Sequence, residues 1–206
     1  MAPMDDTTAH GDRHGYTAAD VRFMQHMIAH HAQALAMTSL VQSRTSRDDL
    51  RLVAQRITAS QTTEIAMMQR WLRERGEVMP NAASGDMSHG MAAHHMAMSG
   101  MASSVDSAHA MSAAPMAMLM PGMLTPAQMD ALAKSTGADF DRLFLAGMIQ
   151  HHEGALRMVS GLFSQQGAGQ EPEIFRFASD VDTDQRAEIA RMQALLSALP
   201  DSTRHR

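Results

Sequence analysis

Cysteine is absent from the 206 residues, which removes disulfides and thiolate metal sites together. Aromatic side chains are scarce at 4%, so a core has to be built from Leu, Ile, Val, Ala and Met. No run approaches the ~20 consecutive apolar residues that a membrane span requires. Lys and Arg are scattered rather than clustered and the net charge is −5, so the chain carries no electrostatic footprint for nucleic acid. Residues 1–16 are polar and lack the apolar segment of a signal peptide; if the protein is exported, this is the processed chain.

Against these gaps stand 22 methionines and 12 histidines. Where thiols are missing, thioethers are the remaining soft ligands among natural side chains. In an oxidising compartment they cannot be lost to a disulfide, although methionine can still become a sulfoxide. That chemistry favours a periplasmic or secreted location.

An internal duplication organises the chain. Residues 20–37 and 141–158 share the pattern D-x-x-F-x-x-x-M-I-x-H-H-x-x-A-L-x-M, with Met27, His30, His31 and Met37 in the first copy and Met148, His151, His152 and Met158 in the second. Each copy is followed by a second matching segment: Gln61, Glu64, Ile65, Met68 and Leu72 correspond to Gln185, Glu188, Ile189, Met192 and Leu196. Apolar residues recur at helical spacing throughout. Thr17 before Asp20 is an acidic variant of the capping box, and Ser46 before Asp48 and Asp49 reads as a second start. Gly76, Gly167 and Pro200 read as stops. Helices are expected over about 17–44, 47–75, 138–166 and 171–199. Two hairpins with one apolar face each predict an all-α four-helix bundle.

The chain then divides into a flexible tail (1–16), a first hairpin (17–76), a low-complexity insert (77–124), a short helix from Pro126 through Lys134 with the second hairpin (125–199), and a tail (200–206). Half of the methionines fall in residues 79–124, in a background of Ala, Ser, Gly and His. That segment is too long for a bundle loop and too simple for a further domain.

Two groups of residues carry the chemistry. Adjacent helical residues point about 100° apart, so His31 and His152 fall near the centre of the apolar stripe and His30 and His151 on its flank, beside Met27, Met37, Met148 and Met158. His26 has no histidine counterpart, since Gly147 stands in its place. A buried imidazole needs a partner for each ring nitrogen. A metal supplies one; Glu64, Glu188, Gln61 or Gln185 across the bundle supply another, and the histidines are then ordinary core residues. In the insert, Met91, His94, His95, Met96, Met98 and Met101, then Met116, Met118, Met120 and Met123, gather thioethers and imidazoles within a few residues. Cu(I) and Ag(I) are soft, accept few ligands and suit neutral sulfur. Thioethers need no deprotonation, so the cluster keeps working in acid, and a flexible set gains by effective concentration. The alternative is a Met-rich surface for promiscuous protein contacts. His10 and His14, near Asp5, Asp6 and Asp12, read as a solvated tail or a weak Cu(II) site.

The duplicated pattern and the stretch from Gly137 to Leu156 resemble the ferritin-like family catalogued as domain of unknown function 305, to which copper-resistance proteins of the CopM type belong. The resemblance covers both hairpins and leaves out the Met/His insert. It implies a four-helix bundle, an exported location and copper binding at Met27, His30, His31, Met37, Met148, His151, His152 and Met158.

The expected function is therefore binding without turnover. The chain sequesters Cu(I), with Ag(I) or Cu(II) as alternative ions, or passes it to a copper efflux or acceptor protein in copper resistance. A ferritin-like di-iron oxidase needs Glu-x-x-His on its helices, but Glu64 is followed three residues on by Met67 and Glu188 by Arg191. A Cu(I) oxidase and a purely structural or partner-binding bundle remain as competing readings.

Overall fold

The computed structural model describes residues 15–80 and 120–200. All regular structure among them is helical: α1 (Ala18–Arg44), α2 (Asp48–Glu74), α3 (Pro126–Lys134), α4 (Gly137–Phe163) and α5 (Pro172–Ser197). The four long helices form the expected bundle. None of the described helices is long and apolar enough to cross a membrane.

The helix ends follow local chemistry. The Thr17 side chain accepts from the Asp20 amide and Asp20 answers the Thr17 amide at 2.7 Å, so two of the first turn's free N–H groups are satisfied. Asp20 is wholly buried, and its other oxygen takes the Gly169 amide at 2.7 Å, which ties the start of α1 to the loop between α4 and α5. Thr125 and Gln128 make a second capping box with Pro126 in the first turn of α3. Ser46 is not a cap. Arg47 holds that position without a side-chain bond, and the loop is closed by Thr45, whose hydroxyl accepts the Arg47 amide. Helix α4 stops at Phe163 rather than about 166, because Gly167 and Gly169, both at positive φ, turn the chain there.

α1 packs on α2, α4 on α5, and the two hairpins meet along α1 and α4. The core is not continuous. One apolar cluster holds Met24, Met27, Met68, Trp71, Val159 and Phe177; the other holds Met37, Val41, Ile57, Phe140, Met148 and Met192. Followed along each helix, the boundary between them falls at His30/His31 on α1, Gln61/Glu64 on α2, His151/His152 on α4 and Gln185/Glu188 on α5. A polar layer thus cuts the bundle at mid-height, and the duplication assembles it, each repeat supplying two histidines, a glutamine and a glutamate.

Candidate metal centre

The four histidines of this layer are wholly buried. His30 and His151, expected on the flank of an apolar stripe, lie at the α1–α4 seam with ring centroids 3.8 Å apart. The expectation assumed one buried face per helix. Helices α1 and α4 bury two, one against their hairpin partner and one against each other, so both residues of each His pair go inside.

The partners fix the tautomers. His30 Nε2 lies 3.1 Å from the Pro121 carbonyl and His151 Nε2 lies 2.9 Å from the His30 carbonyl. A carbonyl oxygen only accepts, so both Nε2 atoms carry the proton. His31 Nε2 reaches Glu64 at 2.5 Å and His152 Nε2 reaches Glu188 at 2.6 Å, and a carboxylate likewise accepts. These are the carboxylate partners expected if the histidines were simple core residues. They satisfy only half of each ring: all four Nδ1 atoms are buried without a hydrogen-bond partner. Gln61 and Gln185, the other anticipated partners, are buried too, with both side-chain polar atoms of Gln61 and the Oε1 of Gln185 unpartnered.

Burial, followed by the repulsion of neighbouring His31, pushes the His30 imidazole down to about 3. Burial and the charges of His30, His152 and His31 push His151 well below the ordinary histidine value. Both rings are neutral across the physiological range, so an ion at their Nδ1 atoms meets no proton competition. Among the described residues no three His, Asp or Glu side chains converge closely enough to enclose one ion. An ion held in this layer would therefore take at most two of these side chains and complete its shell with other donors, which suits a soft ion of low coordination number.

The flanking methionines are redistributed between the repeats. Met27, from the first copy, shares one apolar cluster with Met158 from the second; Met37 and Met148 share the other. Met37 Cε lies 3.3 Å from where a Cβ of Gly147 would stand, so it packs on α4. Of these four repeat methionines, each side of the polar layer thus holds one from each hairpin. Of the insert residues singled out, Met91, His94, His95, Met96, Met98, Met101, Met116 and Met118 lie outside the described residues, as do His10 and His14. Met120 and Met123 are described and half-buried.

Those two belong to a strap, residues 120–124, that sequence reasoning did not anticipate. Gln33 grips Leu124 in both directions, donating to its carbonyl at 3.0 Å and accepting its amide at 2.8 Å. Gln150 donates to the Gly122 and Met123 carbonyls, both at 3.4 Å, and Pro121 accepts from His30 as above. A Cβ on Gly154 would stand 2.0 Å from the Pro121 oxygen, and one on Gly122 would stand 2.5 Å from Gly154 Cα. The legible signal was Gly147 and Gly154, two helix-interior glycines one heptad apart on one face, which mark a close backbone approach.

The opposite side of the layer is open. A groove of about 440 Å³ runs between α2 and α5, lined by Ser60, Thr63, Glu64, Met67, Asp180 and Asp184 among others. Burial, then the charges of Glu64, Glu188 and Asp180, raise the Asp184 carboxyl above its usual value.

Comparison with known proteins sets this architecture in context. A crystal structure of a DUF305 fragment from Deinococcus radiodurans is 27% identical, covers 89% of this chain and 99% of its own, and superposes with a TM-score of 0.66. A DUF305 protein from Streptomyces coelicolor is also 27% identical, over 87% and 92% of the two chains, with a TM-score of 0.63. CopM in its Cu(I)-bound form is 24% identical over 86% and 95%, with a TM-score of 0.58; CopM has also been solved with Cu(II), with silver and without metal. No protein of curated function matches the sequence. The family model for the domain of unknown function DUF305 matches residues 20–196, both hairpins and all that lies between them, and the chain belongs to that family.

Proposed function

We propose that the chain binds Cu(I), with Ag(I) as a close substitute, and stores it or hands it on without turnover, outside the cytoplasm and in the service of copper resistance. The observation that carries this is the set of four buried imidazoles whose Nε2–H groups are engaged and whose Nδ1 atoms have no partner. A buried polar atom left unpaired costs about 1–3 kcal/mol, and four in one layer are a large burden for a fold to retain without use. The Glu64–His31 and Glu188–His152 pairs also match the way a carboxylate orients a ligating histidine and raises its basicity. The structures of CopM with copper and silver support the choice of ion at the level of the family.

The assigned ligands are His30, His31, His151 and His152, with Met27 and Met158 on one side of the layer and Met37 and Met148 on the other. The insert, from Met91 to Met123, adds thioether sites outside the bundle, an assignment that rests on its sequence alone. Copper here is cargo, and the next holder is an acceptor or efflux protein with soft ligands of its own.

Anaerobic titration of Cu(I) against a chromogenic chelator tests the reading. Several equivalents are expected. Changing Met91, Met96, Met98, Met101, Met116 and Met118 to Leu should lower the number while the circular dichroism stays the same. The equivalents left should shift the imidazole 15N resonances at Nδ1 but not at Nε2. Failure of the intact chain to take up Cu(I) or Ag(I) refutes the proposal.

A further inference from the structure

The buried layer can be approached from its two ends and its four helix seams, and the α1–α2 and α4–α5 seams are closed by packing within each hairpin. Above and below it lie the two apolar clusters, packed with Trp71 and Phe177 on one side and Phe140 and Phe144 on the other, all at 2% exposure or less. At the α1–α4 seam the strap is seated with its Gly122 backbone directly on Gly154 and the Pro121 carbonyl on His30. The remaining approach is the groove between α2 and α5.

There, exposure rises in steps from the layer to water. The His31 and His152 side chains are 0% exposed, while Glu64 and Glu188, which hold them, are 16% and 15% exposed. Asp184 and Asp180 beyond them are exposed. Among the described residues Glu64, Asp184 and Glu188 form no ion pair with Lys or Arg, so their charge is left to act on the groove. Met67 lines the same groove and offers a thioether on its wall. The feature that ties the acidic groove to a ligand is the pair of imidazoles behind it. Each is wholly buried and bonded through Nε2 to one of these glutamates, and each Nδ1 is unsatisfied.

We infer that the α2–α5 groove is the entrance by which a monovalent soft cation reaches the histidine layer, with Asp180 and Asp184 drawing it in and Glu64 and Glu188 standing at the threshold. The inference rests on the copper-binding reading and adds a route to it. Carboxylates are poor ligands for such an ion, but long-range attraction is indifferent to softness. A cleft lined by one sign of charge raises the local concentration of the opposite ion and its rate of entry.

The test uses Ag(I) as probe and the full chain with the six insert methionines named above changed to Leu, so that uptake reports the bundle. Withdrawal of Ag(I) from a neutral chromogenic indicator is followed by stopped flow, and imidazole 15N spectra establish where the ion ends. Asp180→Asn with Asp184→Asn should slow uptake about tenfold at low ionic strength. The difference should vanish near 1 M salt, where the Debye length is about 3 Å, with the same resonances shifted at the end point. Equal low-salt rates for the two proteins, with the imidazoles occupied, overturn the groove assignment. So does an acceleration on loosening the strap with Gln33→Ala that exceeds the slowing by the Asn pair, which would put the entrance at the seam. If Ag(I) leaves every imidazole resonance unmoved in the parent chain, the copper-binding reading itself falls, and the route with it.

Discussion

His30 and His151 illustrate how burial changes the acid–base behaviour of one residue type. In water an imidazole is a proton acceptor near neutrality; at the α1–α4 seam, stripped of water and beside other imidazoles, His30 stays neutral down to about 3. The unfolded chain has no such restraint and takes up a proton near the ordinary value of 6.5. Because the folded pKa is the lower one, the unfolded state binds more protons between the two values, and the metal-free protein loses stability as pH falls through that window. Between pH 7 and pH 5 the loss from His30 should be about 2 kcal/mol, with His151 acting in the same direction, read as a falling urea midpoint. His30→Phe should flatten the dependence, and a midpoint that does not move with pH in the parent chain would mean the imidazoles are not buried as described. Position and pairing of the histidines were legible in the repeat; the tautomers were not. They depend on the Pro121 and His30 carbonyls, and backbone acceptors leave no mark in residue type.

At the scale of the element, the helices were the most readable part of the chain. The capping box at Thr17 was visible as residue types at a fixed offset, because capping is local chemistry. The strap was not, since its seat on α4 is a matter of what Gly154 lacks. Gly154→Ala improves intrinsic helix propensity by up to about 1 kcal/mol, yet its methyl would meet the Pro121 oxygen at 2.0 Å. Backbone on both sides cannot yield cheaply, so a net destabilisation of about 1–3 kcal/mol is expected. Gly161→Ala on the same helix meets nothing within 4 Å and should stabilise by up to about 1 kcal/mol. Urea titrations of the two variants should move in opposite directions; a shared direction would mean that helix propensity, not the strap, governs position 154.

For the whole molecule, the interleaving of the repeats is the decisive arrangement. Each apolar half of the core carries methionines from both hairpins, and the central histidine pair spans them. An ion held there links two units that otherwise adhere by packing and by a few polar contacts, among them Asp20 with the Gly169 amide, His151 with the His30 carbonyl and Arg75 with Glu171. Saturating Ag(I), at about a hundredfold over its dissociation constant, should therefore raise the stability of the entire bundle by roughly 2.7 kcal/mol. It should do so as one cooperative calorimetric transition. A transition that stays in place while silver is bound would locate the metal on the insert and leave the histidine layer idle. The fold itself could be read from the duplication, but the gathering of Met27 and Met158 into one cluster and of Met37 and Met148 into the other could not. A repeat shows which residues correspond, whereas a two-fold relation decides which of them become neighbours.

The correspondence between the halves also fails at an informative place. With an offset of 121 residues between the copies, Gly147 answers His26 and Gly154 answers Gln33. One repeat has hollowed out its outer surface where the other has kept side chains, and the returning chain beds into the hollow while Gln33 clasps it from across the seam. Similar as they are in outline, the two repeats are therefore not exchangeable. A chain with their order reversed would still raise four helices, but its connecting segment would arrive at the bulky repeat and find no berth.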